Sequence, residues 1–190
     1  NADAKAPATA TALGTVTGLK MPESSIAHPD GRIFVTEIGE FGKSGDGKVT
    51  VINANGSKST LADGLNDPKG IDMFNNQLYV ADMDQVVRID LQGNKTVIAK
   101  PSDFQSKPVF LNDIEIDGLG NVYVSDSGED NGKHAAIYKI TSQGQVVQLI
   151  SDKSGIKRPN GLLMDGPNAL LVADFGTGKL FRIDYSEQDG

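Results

Sequence analysis

The sequence contains no cysteine, and this absence removes several kinds of chemistry. Without thiols the chain can form no disulfide, no thiolate metal site and no cysteine nucleophile. Tryptophan is absent too, and only 7 Phe and 4 Tyr occur among 190 residues. No apolar run approaches the ~20 residues that a membrane helix needs, so we expect no membrane partner. There is no cluster of basic residues and the net charge is −7, so we expect no nucleic acid partner.

Four segments of the sequence share one pattern and recur at a nearly constant interval. Each has one or two turn residues, an apolar run, a small residue and an acid. The closing acids are separated by 45, 44 and 48 residues, and they are Glu37, Asp82, Asp126 and Asp174. A period of this length over four copies indicates a repeat architecture.

Each repeat reads as four short antiparallel strands joined by turns of the Asp-Gly and Asn-Asn type. This pattern predicts an all-β fold, a β-propeller in which each repeat is one four-stranded blade. We expect blades at residues 20–64, 65–107, 108–155 and 156–190, the last without its outermost strand. A β-sandwich is the alternative, although it would not need so regular a period.

Closure of the ring stays open at this point. A four-bladed ring is possible, and six blades would require more chain, a missing segment or a second copy of the protein. Residues 1–19 are rich in Ala and Thr, which favours a flexible leader, but the segment Ala10 to Leu19 could also be a closing strand. A leader of this kind is typical behind a cleaved export signal, so we expect a periplasmic or secreted protein.

The residues that introduce the first strand of each repeat are the second informative feature. First strands line the channel of a propeller, so these side chains should meet at one mouth. The four positions hold Glu23, Lys69, Asn112 and Asn160. Carboxylate and amide oxygens are hard ligands that suit Ca²⁺, or less well Mg²⁺ or Mn²⁺. The alternative is that the two Asn residues only form turns at the start of a strand.

Three stretches carry a family resemblance: MPESSIAHPDGRIFVTE, FLNDIEIDGLGNVYVSDS and RPNGLLMDGPNALLVADF. They resemble successive blades of the senescence marker protein/gluconolactonase family, the regucalcin-like lactonases. The resemblance implies a six-bladed propeller, here truncated after about four blades, with a divalent metal, commonly Ca²⁺ or Zn²⁺, at the channel mouth. By motif, Glu23 and Asn160 match metal ligands and Asn112 matches a substrate-pocket Asn, which we also count as a candidate ligand.

Two departures from the family pattern affect the expected chemistry. Phe110 stands where the family often has an Arg that holds the substrate, which indicates a more apolar ester. The family's general base lies on a fifth blade, which has no counterpart here. We therefore assign substrate binding to Asn112, Phe110 and Lys69. The catalytic base stays unknown, with Asp126 and Asp174 as candidates that could equally be hydrogen-bond acceptors for a turn.

Two functions follow as hypotheses. The first is a metal-dependent hydrolase of the lactonase or esterase type, in which the cation polarises the carbonyl of a small lactone or ester. The alternative is a non-catalytic propeller, similar to NHL-repeat proteins, that keeps a structural cation and binds a ligand or a protein partner. The only histidines, His28 and His134, show no orienting partner in the sequence, so we assign them no role.

Overall fold

A computed structural model describes residues 14–185, and it consists almost entirely of β-strands. The first blade contains β1 Pro22–Ala27, β2 Ile33–Glu37, β3 Gly47–Ile52 and β4 Lys58–Leu65. The second contains β5 Pro68–Phe74, β6 Gln77–Asp82, β7 Gln85–Asp90 and β8 Lys95–Ala99. The third contains β9 Leu111–Ile116, β10 Val122–Asp126, β11 Ala136–Ile140 and β12 Val146–Ile150. The described part of the fourth contains β13 Pro159–Met164, β14 Ala169–Asp174 and β15 Lys179–Asp184.

The predicted all-β repeat architecture is confirmed. Each blade is a separate antiparallel sheet whose strands pair in chain order, from the first to the last. Two short 3-10 helices, Pro101–Asp103 and Asp152–Ser154, precede the third and fourth blades. Within residues 14–185, no helix has the length and apolarity needed to cross a membrane.

Local sequence explains the turns inside the blades. In the second blade, Asn75 and Asn76 both have positive φ, 50° and 57°, and they join the paired residues Phe74 and Gln77. Two consecutive positive φ angles are the requirement of a two-residue hairpin, and Asn tolerates them better than most residues.

The core consists of three apolar clusters, one between each pair of neighbouring blades. Phe34 and Leu78 belong to the first, Leu111 and Tyr138 to the second, and side chains such as Leu170 to the third. Burying a side chain of this kind stabilises the fold by about 1.5–3 kcal/mol relative to leaving it exposed. Stability therefore depends on contacts between successive blades, as expected for a repeat protein.

The N-terminal segment can be compared with its prediction only in part. Residues 14–19 form no strand, and Thr17 lies against the first blade by accepting a hydrogen bond from the Lys58 side chain. The proposed closing strand also included residues 10–13, which lie outside the described residues.

Candidate functional site

The four mouth positions, Glu23, Lys69, Asn112 and Asn160, are structurally equivalent. Each is the second residue of its blade's first strand, in β1, β5, β9 and β13 respectively. The sequence pattern placed them just ahead of these strands, whereas each strand begins one residue before its mouth position.

A β-bulge accounts for the difference. The first residue of each of these strands pairs with the acid that closes the second strand, as Pro68 pairs with Asp82. Regular pairing then resumes only at Ile71, so Lys69 falls within an irregular step of the ladder. The other three blades repeat this shift. Bulges of this kind re-aim a side chain, and here they occur at all four mouth positions.

Buried hydroxyl groups tie mouth residues to the adjoining blade, between the first and second blades and between the third and fourth. Thr36 Oγ1 donates a hydrogen bond to the Lys69 carbonyl oxygen at 2.7 Å. Ser127 Oγ accepts from Asn112 Nδ2 at 3.0 Å and donates to the Pro159 carbonyl at 2.7 Å. Ser125 Oγ donates to the carbonyl of Asn160 at 2.8 Å.

Sequence reasoning missed these hydroxyl groups. Two of them were visible in the sequence as hydroxyl residues directly before a closing acid. This position holds Thr36 and Ser125 in two repeats and Ala in the other two.

Glu23 is exposed, and its carboxylate accepts a hydrogen bond from Ser24 Oγ at 2.6 Å. Burial raises the pKa of Asp113 in the third blade, and the negative charge of Glu23 adds to this increase. The carboxylate therefore acts electrostatically on the mouth end of a blade other than its own.

Lys69 is the most enclosed charged group among the mouth positions, with only 2% of its surface exposed. Its Nζ donates a hydrogen bond to the Asp67 carbonyl at 3.2 Å and lies 4.2 Å from the centroid of the Phe110 ring. The Phe41 ring lies 5.7 Å away on the exposed side of the mouth. Burial lowers the pKa of Lys69, and the carboxylates of Asp67, Glu23 and Asp82 oppose this shift.

The two Asn residues differ in environment. Asn112 is 8% exposed and is held by Ser127, whereas Asn160 is exposed beside Phe175 and Leu180 in an open groove of about 620 Å³. The Phe110 ring also lies 5.7 Å from the Arg158 guanidinium. The mouth thus combines one exposed carboxylate, two amides and two cationic groups near one aromatic ring.

The acids that close the second strands are engaged with the backbone that leads into the first strand. Asp126 accepts hydrogen bonds from the backbone N–H groups of Val109, Phe110 and Gly128 at 2.8–3.0 Å. Burial raises the pKa of Asp126, although these three donors oppose the shift.

Asp174 makes the equivalent contacts in the fourth blade. It accepts from the N–H groups of Lys157 and Arg158 and from the hydroxyl of Thr177. Burial by itself favours a raised pKa of Asp174, but these hydrogen bonds outweigh it and lower the pKa. The contacts of both acids favour a structural role over a catalytic one.

The structure gives His134 a partner that the sequence did not show. His134 Nδ1 lies 2.9 Å from a carboxylate oxygen of Glu129, in an exposed loop of the third blade. His28 lies in the turn between β1 and β2 and contacts Asn76 of the second blade at 3.1 Å.

A cation at the mouth would find oxygen donors of the right type. Across residues 14–185, no three His, Cys, Asp or Glu side chains are grouped closely enough to hold a metal. Binding would therefore rest on the single carboxylate of Glu23 together with amide oxygens, which suits a hard cation.

Comparisons with known proteins agree with this architecture. The model of the SMP-30/Gluconolactonase/LRE-like region matches residues 71–190. No curated protein sequence matches the chain.

Several solved structures are similar in fold. A gluconolactonase from Xanthomonas campestris superposes with a TM-score of 0.71 at 13% identity, covering 89% of this chain and 60% of that one. A luciferin-regenerating enzyme gives 0.62 at 18% identity, covering 80% and 52%. The calcium-binding protein regucalcin from Agrobacterium tumefaciens gives 0.61 at 16% identity, covering 85% and 60%. The chain therefore spans between about half and three fifths of the length of these structures.

Proposed function

The chain belongs to the SMP-30/gluconolactonase/LRE-like family, and we propose that it contributes the mouth of a lactonase-type propeller that hydrolyses a lactone or a related ester with a divalent cation. The observation that carries this proposal is the equivalence of the four mouth positions. All four occupy one bulge position of one strand type, and hydroxyl groups link the first blade to Lys69 and the third blade to Asn160. Four different side chains at one equivalent position of a repeated frame are typical of a site mounted on a scaffold.

The proposed cation is Ca²⁺, held by the Glu23 carboxylate and by the amide oxygens of Asn160 and Asn112. When bound, it would polarise the substrate carbonyl and stabilise the negative charge that develops on its oxygen. Zn²⁺ is less suited to this donor set because nitrogen and sulfur ligands are missing from it.

The chain's own residues would orient the substrate. Ser127 fixes the amide of Asn112, which leaves that side chain with hydrogen-bonding capacity toward the mouth. The half-buried ring of Phe110 offers an apolar wall, with the Lys69 ammonium 4.2 Å from its centroid. These contacts favour an ester or lactone with an apolar portion over a fully hydroxylated sugar lactone.

A non-catalytic propeller with a structural cation is the second candidate. It is favoured by the contacts of Asp126 and Asp174, because both carboxylates are occupied with backbone N–H groups and so are poorly placed to deprotonate water. A ligand or protein partner would then bind at the mouth without being hydrolysed.

Hydrolysis assays on a panel of lactones and aryl esters test the proposal directly. We expect activity that is lost with a chelator, restored by Ca²⁺ and reduced at least about tenfold in Glu23→Gln and Asn160→Ala. Asn55→Ala, in an exposed turn of the first blade, serves as the control and should retain full activity. Activity that survives both chelation and Asn160→Ala would rule out a metal-dependent hydrolase. Calcium binding without any hydrolysis would favour the second candidate.

A further inference from the structure

A crevice of about 220 Å³ lies between the second and the third blade. Gly120, in the turn after β9, and residues 141–144, in the turn after β11, line one side of it. The first strands begin at the mouth, so both turns lie at the opposite end of their strands. The crevice is therefore separate from the mouth positions, and the proposed function makes no use of it.

One part of the crevice lining is apolar. The side chains of Tyr79 and Ile98 come from the second blade, and those of Val122 and Ile140 come from the third. An apolar cavity of ~150 Å³ is large enough to hold a benzene ring. The crevice thus has room for a hydrocarbon group of about that size, and residues 141–144 add polar groups to its lining.

Arg88 is the one charged side chain among the described residues that line the crevice, and it is half-buried. The other arginines of the chain each pair with an aspartate, and they are Arg32, Arg158 and Arg182. Within residues 14–185, the Arg88 guanidinium makes no ion pair and no hydrogen bond of this kind. The crevice therefore holds a cation that the described part of the chain does not neutralise, although the protein carries a net charge of −7.

The fourth blade shows how this position of the repeat is neutralised elsewhere. Arg182 is the fourth residue of β15, as Arg88 is the fourth residue of β7. The guanidinium of Arg182 pairs with two carboxylates, those of Asp165 and Asp184. The repeat can thus supply two acidic partners at this position.

The second blade lacks both of these partners. Asp90 ends its strand as Asp184 does, but its carboxylate accepts hydrogen bonds from the turn that follows it. Phe74 stands where the fourth blade has Asp165, five positions after the mouth residue. The same frame therefore leaves Arg88 facing the crevice without either internal anion.

We propose that this crevice binds a small organic carboxylate, whose charged group pairs with Arg88 and whose hydrocarbon part lies against Tyr79, Ile98 and Ile140. A planar guanidinium can hold a carboxylate through two parallel hydrogen bonds. Salt screens such a pair less in a half-buried crevice than on an open surface. An inorganic anion would leave the apolar lining uncovered, which favours a ligand with both parts. The inference does not rest on the proposed function, because the crevice is separate from the mouth.

An NMR titration with sodium benzoate tests the proposal on protein with ¹³C-labelled Ile and Val methyl groups. The methyl resonances of Ile98, Val122 and Ile140 should shift, with the same dissociation constant in the presence of a chelator. Arg88→Gln removes the cation and should weaken binding at least about tenfold. Arg182→Gln removes the equivalent charge of the fourth blade, and it should change the affinity less than about twofold.

Two further probes test the class of ligand. Benzamide has the shape of benzoate without its charge, and inorganic phosphate has charge without the ring, so each should bind at least about tenfold more weakly. Phosphate that binds as tightly as benzoate would make the crevice a simple anion site and overturn the inference. Arg88→Met repeats the experiment should Arg88→Gln fail to fold, as judged by circular dichroism.

Three results with benzoate itself would also overturn the inference. These are equal affinity in the wild type and in Arg88→Gln, no methyl shift at millimolar benzoate, and shifts confined to Val109, which lies beside the mouth residue Phe110. None of these results bears on the proposed hydrolase, whose dependence on a cation is measured separately by the loss of hydrolysis with a chelator.

Discussion

The carboxylate of Asp72 in β5 accepts a hydrogen bond from the backbone N–H of Ile116 in β9, at 3.0 Å. The bond crosses from the second blade to the third, and it has two counterparts between the third and the fourth. Asp113 accepts from Leu162 at 2.7 Å, and Glu115 accepts from Met164 at 3.1 Å. Acidic side chains of the first strands therefore cover backbone donors of the next blade.

The cross-blade contact of Asp72 predicts an unusual dependence of stability on pH. Burial raises the pKa of Asp72, and the hydrogen bonds from Met73 and Ile116 only partly oppose the shift. A raised pKa means that the folded state favours the protonated form. The contribution of Asp72 to the free energy of unfolding is thus complete below its unfolded pKa of about 3.9 and is lost as the pH rises through the folded pKa. The free energy of unfolding of Asp72→Asn should therefore rise relative to that of the wild type as the pH increases from ~3 to ~7.

Urea unfolding at both pH values measures this change, and Asp174→Asn provides a control of opposite sign. The pKa of Asp174 is lowered overall, so its stabilising effect is present above the unfolded pKa and is lost as the pH falls through the folded pKa. Asp174→Asn should therefore lose stability relative to the wild type as the pH rises. If Asp72→Asn behaves in the same way as Asp174→Asn, burial is not the dominant effect at Asp72.

The close approach of the first strands predicts that Gly70 tolerates no side chain. A Cβ at Gly70 would lie 2.7 Å from the carbonyl oxygen of Asn112 and 2.8 Å from the Cα of Asp113. Both are backbone atoms of the next blade, which cannot rotate away. Gly70→Ala should lower the free energy of unfolding by about 1–3 kcal/mol in urea titrations.

Gly161 is a matched control, because it follows Asn160 as Gly70 follows Lys69. A Cβ there would meet only the Ala173 Cβ, at an ordinary contact distance of 3.7 Å. Gly161→Ala should leave stability unchanged or raise it by up to about 1 kcal/mol. Equal losses in both variants would contradict the packing of blades described above.

The repeat and the blades could be predicted from the sequence because they depend on local signals. Strand alternation and turn residues such as Asn75 and Asn76 lie within a few positions of each other. The bulge that places Lys69 in its strand could not be predicted in this way, since it appears only when β5 pairs with β6. The enclosure of Lys69 by Phe41 and Phe110 brings together three blades, and the sequence shows no sign of it.

The contacts of Ser127 also could not be predicted from the sequence. Ser127 follows the third closing acid, is almost fully buried and contacts both Asn112 and Pro159. Ser127→Ala would leave a buried amide donor and a buried carbonyl without this partner. We expect a loss of about 1–3 kcal/mol in the free energy of unfolding. Ser102→Ala, in an exposed 3-10 helix, should change it by less than about 0.5 kcal/mol.

The contacts of Asp126 predict how its removal separates stability from activity. Asp126→Asn replaces one carboxylate oxygen by an NH₂ group, which cannot accept a hydrogen bond. One of the backbone donors now bonded to Asp126, from Val109, Phe110 or Gly128, would then lose its acceptor. The variant should lose about 1–3 kcal/mol of stability, because a buried donor without a partner is costly. The rate of hydrolysis per folded molecule is measured well below the melting temperature. It should stay within about twofold of wild type, because the acid is structural. A fall of about 10²-fold or more in a folded variant would instead make Asp126 the general base.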